Sequence, residues 1–216
     1  TPFRKCAPPL FLSGLFWGIG AACKWTVIYG CTGLVALYFI GLYQKVRDWP
    51  AEQPGRVKWI FQILGFSVLV FAVIPAAIYT LSYLPYAMAE GDTSLTGLIG
   101  AMWENQKYML SYHSGVTDSH PYASRWYQWL FDIRPILYYM DNSVPGYTTR
   151  FAAFVNPVVC WGGLLAVASC AVQAVRRRCA RALFIFIGYL AQLVPWFFIG
   201  RITFAYHYFP SVLFLI

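Results

Sequence analysis

Apolar residues dominate the chain in long runs, and their lengths fit membrane-crossing helices of about 20 residues each. One run extends from about Pro9 to Ala22; it is short and rich in Gly. A second extends from about Thr26 to Tyr43, and a third from about Trp59 to Leu84 with Pro75 as a candidate kink. A fourth covers about Phe151 to Val175 and a fifth about Leu183 to Ile199. A sixth begins near Phe204 and is cut off at Ile216. The expected architecture is all-α: a polytopic transmembrane helical bundle. Residues 1–216 are expected to form a single transmembrane domain, interrupted by a long loop over 87–146.

That loop has a pattern of its own. Leu95, Leu98, Ile99, Met102 and Trp103 recur at helical spacing, the stripe breaks at Gln106, and it resumes at Met109 and Leu110. The spacing predicts an amphipathic helix lying on the membrane surface. Trp126, Trp129, Leu130 and Ile133 predict a second one, with Ser124 as its cap and Pro135 as its stop.

Composition agrees with a membrane protein. The chain is 59% hydrophobic, 19% aromatic and only 11% charged, where soluble domains carry about 25% charge. The net charge of +8 would suggest nucleic acid in a soluble protein. Here no nucleic-acid-binding motif occurs and the aromatics sit in apolar runs, so no nucleic-acid partner is expected. The charges instead set an orientation. Basic residues gather at 44–58 (Lys45, Arg47, Arg56, Lys58) and at Arg176, Arg177, Arg178 and Arg181. The positive-inside rule places both stretches in the cytoplasm. The loop over 87–146, with six acids against three bases, then falls outside, in a cell membrane. Arg4 and Lys5 also fall inside, and Lys24 and Arg201 lie at the outer interface. The six cysteines lie in or beside apolar runs and none is in the loop, so no disulfide framework is expected there. The start at Thr1 and the end inside an apolar run read as a piece of a longer chain.

Three groups carry candidate chemistry: Tyr112-His113-Ser114-Gly115, the run from His120 to Pro135, and the run from Arg201 to Pro210. His113 and His120, with Asp118 between them, fall short of the three well-placed ligands a catalytic metal needs. Neither HExxH nor DxD occurs, so no metal is expected. Two readings stand for these histidines, interfacial hydrogen bonding or proton donation to a phosphate or leaving group. Arg134 and Arg201 sit beside aromatic residues, where a guanidinium either holds a phosphate through paired bonds or snorkels to headgroups. Lys24, between two spans, is either a third phosphate contact or an interface anchor. Trp126, Tyr127 and Trp129 either line a sugar or peptide groove or join an interfacial belt.

The string HPYASRWYQWLFDIRP, from His120 to Pro135, resembles the signature loop of the dolichyl-phosphate-mannose–protein mannosyltransferases. WENQKYM at Trp103–Met109, YHSG at Tyr112–Gly115, ACKWT at Ala22–Thr26 and RITFAYHYFPS at Arg201–Ser211 resemble other stretches of that family in the same order. The resemblance also fits the C-type glycosyltransferase superfamily, and the absence of a large soluble insert is similar to bacterial members. It implies an inverting transfer of mannose from a polyprenyl-phosphate carrier to Ser or Thr hydroxyls of a protein, on the outer face, with no nucleotide sugar used directly. Such a transfer needs a carboxylate base and cations for the departing phosphate. The resemblance assigns His120, Tyr122, Ser124, Trp126 and Trp129 to the outer cleft, and Arg134, Arg201 and Lys24 to the carrier phosphate. His207 either supports the last helix of the site or merely packs. The family's acidic base belongs to a first outer loop absent here, so this fragment is expected to be inactive alone; Asp118 and Asp132 are weak substitutes. Two rivals remain. One is a related transferase for another sugar or for a lipid or cell-wall acceptor. The other is a transporter, which the near absence of charge within the spans argues against.

Overall fold

The computed structural model describes residues 2–116 and 119–216. Helices dominate, with one small two-stranded sheet. Among the described residues five helical stretches are long and apolar enough to cross a membrane: Phe3–Cys23, Val27–Arg47, Arg56–Glu90, Val158–Arg176 and Ala180–Phe198. The chain is a multi-pass membrane protein. It divides into two compact units, Thr1–Cys31 with Tyr38–Ser114, and Thr32–Leu37 with Gly115–Ile216.

In the first unit, α1 (Phe3–Cys23) starts earlier than the apolar run and passes through Pro8 and Pro9. Those prolines deprive only the carbonyls of Arg4 and Lys5, close to the helix end, of their i+4 donors. Helix α2 (Val27–Arg47) likewise extends into the basic stretch, ending on Lys45 and Arg47, whose charge suits a helix C-terminus. The third span is composite. Helix α3 (Arg56–Val68) leads into a π-helical turn at Leu69–Val73, then α4 (Ile74–Leu81) and α5 (Leu84–Glu90). The π turn ends just before Pro75, which sits in the first turn of α4, so the helix continues through the expected kink. The break falls instead at Ser82–Tyr83, ahead of Pro85, where Ser82 Oγ donates to the Tyr79 carbonyl at 2.7 Å. Helix α1 packs against this composite span at Gly14 and Gly18. A Cβ on Gly14 would collide with the Val70 carbonyl oxygen, and one on Gly18 would lie 2.9 Å from Pro75 Cα. Close helix contact through small residues is how spans associate where lipid removes the hydrophobic drive.

Helix α6 (Leu95–Gly115) is the first expected loop helix, one turn longer than its apolar stripe. The break at Gln106 has a structural reason. Its Nε2 donates to Tyr79 Oη at 2.6 Å and Tyr83 Oη at 2.8 Å, while Asn105 Nδ2 reaches Tyr83 at 3.2 Å and Trp25 Nε1 reaches Tyr79 at 2.9 Å.

In the second unit the expected second amphipathic helix shrinks to α7 (Trp126–Trp129). Ser124 does not cap it; Arg125 occupies the cap position, and its backbone N–H donates to Gln128 Oε1 at 2.8 Å. Pro135 is not the stop either. Asp132 adopts a left-handed backbone (φ 52°), which ends helical winding three residues earlier. A hairpin follows that the apolar pattern did not indicate, β1 (Ile136–Asp141) antiparallel to β2 (Thr149–Ala153), with a register irregularity between Leu137 and Tyr139. Phe151 therefore belongs to a strand, and the fourth span starts at Val158, not Phe151. Asn156 Oδ1 accepts from Val158 N–H at 2.9 Å, and Pro157 pre-sets the first turn. A π-helical turn (Val158–Gly162) opens into α8 (Gly163–Arg176), which packs against α9 (Ala180–Leu193). The sixth apolar run is folded tightly: after the 3₁₀ turn Val194–Phe198 come a 3₁₀ turn at Ala205–Tyr208 and the short α10 (Phe209–Val212).

Candidate functional site

Two segments of the second unit are clamped together. The Ser124 backbone N–H donates to the Thr203 carbonyl at 2.9 Å, and Thr203 Oγ1 donates back to the Ser124 carbonyl at 2.6 Å. Both residues are buried. Below the clamp, Trp129 Nε1 donates to Ser124 Oγ at 2.8 Å. The Trp129 ring stacks on His207 (6.1 Å between centroids, 21°) and meets Trp196 edge-on at 5.7 Å. Cys160 Sγ donates to the Leu130 carbonyl at 3.3 Å, tying the segment to the start of the fourth span. On the flank, Trp126 stacks on Phe197 at 3.8 Å, and Arg125 Nη1 donates to the Gly200 carbonyl at 3.3 Å.

These bonds shape a cleft of about 450 Å³. Ser119, His120, Ser124, Arg125 and Gln128 face it from one segment and Gly200 to Thr203 from the other. Among the described residues its lining includes two guanidiniums, Arg125 and Arg201, and no carboxylate. His120 is exposed; its Nδ1 accepts from the Tyr122 N–H at 3.1 Å, which leaves Nε2 as the ring's outward nitrogen. The arrangement suits an anion with several oxygens, such as a phosphate, bound by charge-assisted hydrogen bonds.

The expected residues sort into three groups. His120, Ser124 and Arg201 line the cleft. Tyr122, Trp126, Trp129 and Arg134 lie outside its lining: Trp129 is 2% exposed and belongs to the core, and Arg134 Nη1 donates to the carbonyls of Pro121 and Ala123, both at 3.0 Å. Arg134 thus fastens the turn that carries His120. Lys24 follows α1 in the first unit, and His113 lies in the last turn of α6. Asp118 falls outside the described residues. Asp132 Oδ1 accepts from the Val155 N–H at 3.3 Å, and burial pushes its carboxyl above the usual range, partly offset by that bond. His207 packs between Trp129 and Trp196, and its Nδ1 is engaged with the Phe204 backbone. Arg125 and Gln128 both lie within the His120–Pro135 string, but the sequence assigned neither a role in the site. No group of three or more His, Cys, Asp or Glu side chains is arranged to hold a metal among the described residues.

The family model of the C-terminal four-transmembrane region of protein-O-mannosyltransferase matches residues 98–216, which include both segments of the cleft. This chain belongs to the protein O-mannosyltransferase family. Among its relatives, the polyprenol-phosphate-mannose–protein mannosyltransferase of Mycolicibacterium smegmatis is 27% identical over 87% of the chain and 41% of its own length. The protein of the same name from Mycobacterium tuberculosis is 26% identical over 87% of the chain and 40% of its own length. The dolichyl-phosphate-mannose–protein mannosyltransferase 4 of Candida albicans is 25% identical over 50% of the chain and 16% of its own length. The chain thus spans about two fifths of the length of its bacterial relatives. No solved structure matches it.

Proposed function

We propose that this chain is part of a membrane glycosyltransferase that moves mannose from polyprenyl-phosphate-mannose to Ser or Thr hydroxyls of secreted or membrane proteins, at the outer face of the cell membrane. The cleft carries the reading. It is built from two of the strings that resemble the family, and it offers two guanidiniums and a histidine to an anion. Arg125 and Arg201 hold the carrier phosphate and stabilise the charge it gains as the sugar departs. His120 stands at the rim to hydrogen-bond the phosphate or the sugar. Trp129, Arg134 and the Ser124–Thr203 clamp position these groups. The base that activates the acceptor hydroxyl we assign, on the family resemblance, to the portion of the relatives' length that this chain does not span.

The test is transfer of labelled mannose from polyprenyl-phosphate-mannose to a Ser/Thr-rich acceptor. Membranes bearing the full-length protein are compared with membranes bearing residues 1–216 alone. Transfer is expected from the full-length form only. Arg201→Ala is expected to lower kcat/KM about 10- to 100-fold, as loss of a charge-assisted hydrogen bond does. Arg201→Lys should recover it incompletely, because an ammonium lacks the planar fork. Full activity in both variants refutes the phosphate assignment. Absence of mannose transfer by properly inserted full-length protein, with transfer of another sugar, refutes the donor.

A further inference from the structure

The turn between α8 and α9 carries four arginines within six residues, Arg176, Arg177, Arg178 and Arg181. All four are exposed, and among the described residues none forms an ion pair. The turn joins two spans, so it lies at a membrane surface. Orientation accounts for basic residues here, but not for their backbone. Arg178 adopts a left-handed conformation (φ 49°) in the position after the helix C-cap, where glycine is most often found. A side chain in that region is disfavoured, and retaining one points to a use for it. The left-handed turn brings Cys179 N–H onto the Gln173 carbonyl (3.4 Å), which already accepts from Arg177 N–H (3.0 Å), and so folds the chain back over the end of α8. Helix α9 then begins at Ala180 with no side chain capping its first N–H groups.

We infer that this turn is a binding site for the anionic headgroup of a membrane phospholipid, with Arg178 held at its centre by the left-handed turn. Clustered basic residues beside a span attract anionic lipid, each arginine being worth about fivefold in affinity. The inference does not depend on the transferase reading.

The experiment uses the full-length protein in detergent. Its binding of headgroup-labelled phosphatidylglycerol is compared with that of labelled phosphatidylcholine, with inorganic phosphate as competitor. Phosphatidylglycerol is expected to bind more tightly and to resist phosphate at equal concentration. Arg178→Gly is expected to weaken phosphatidylglycerol about fivefold without lowering the melting temperature, since glycine suits the turn. Arg178→Asn, also tolerant of the left-handed region, is expected to do the same. Combined Arg176→Gln, Arg177→Gln and Arg181→Gln should bring phosphatidylglycerol close to phosphatidylcholine. Equal binding of the two lipids by the unmodified protein overturns the inference. So does an undiminished preference in both Arg178 variants, and so does displacement by phosphate, which would make the turn a free-anion site.

Discussion

Ser124→Ala removes one oxygen from the buried joint beneath the cleft. The Ser124–Thr203 clamp survives, because it uses the backbone of residue 124. What is lost is the acceptor for Trp129 Nε1, a 2.8 Å bond on a ring that is 2% exposed. An indole N–H left unpaired in that setting costs roughly 1–3 kcal/mol. Trp129→Phe removes the donor itself and adds the loss of ring volume against Trp196 and His207. In that background the Ser124 hydroxyl no longer serves the indole. Ser124→Ala should then cost about 1–2 kcal/mol less than it does in the unmodified protein. Reversible unfolding of the full-length protein by SDS titration, across the four members of the cycle, measures the difference. Equal costs in both backgrounds would refute the reasoning, because the hydroxyl would then act through something other than the indole.

Asp132→Asn is expected to raise the melting temperature near neutral pH. Burial raises the Asp132 carboxyl, so the folded state holds its proton more tightly than the unfolded state. Stability therefore falls as pH rises from the ordinary carboxylate range through the raised value. Asparagine keeps the acceptor for Val155 and tolerates the left-handed backbone. The gap between the two proteins should close at pH below the ordinary range, and a pH-independent gap would contradict the account. Gly14→Ala should destabilise by about 1–3 kcal/mol, seen as lost folded yield in detergent, because its methyl meets the Val70 carbonyl. Gln106→Leu completes the apolar stripe of α6 yet should lower the melting temperature, since it strips the hydroxyls of Tyr79 and Tyr83 of a shared partner; a gain in stability would show that the network contributes nothing.

The spans were legible because lipid demands apolar residues over a fixed length. Their ends were not, since helices run on into charged stretches at Arg47 and Glu90. The hairpin was missed for a different reason. Ile136 to Met140 and Phe151 to Ala153 are apolar and aromatic, and such short runs do not separate strand from helix by periodicity. Asn156-Pro157 was the available signal, a cap residue followed by a helix-initiating proline. Within the site, the strings were legible as strings. Which side chains face the cleft was not, because the cleft forms only where the backbone of Ser124 is bonded to Thr203, 79 residues away in the chain. Arg125 and Trp129 lie four residues apart, one at the cleft and the other in the core.

The π turn at Leu69–Val73 makes the third span a helix with a phase slip. A π turn accommodates one surplus residue, and 3.6 residues per turn make that a rotation of about 100° for everything downstream. Tyr79 and Tyr83 point toward Gln106 only because the slip precedes them. Winding residues 69–73 as a regular helix at the same length would swing both hydroxyls away from α6, whereas removing one residue there takes out the surplus itself and leaves both on the same face. The span's tolerance of length change is therefore uneven: a one-residue deletion is absorbed within the π turn, but one in the regular helix between it and Tyr79 acts at a distance, on residues it does not remove.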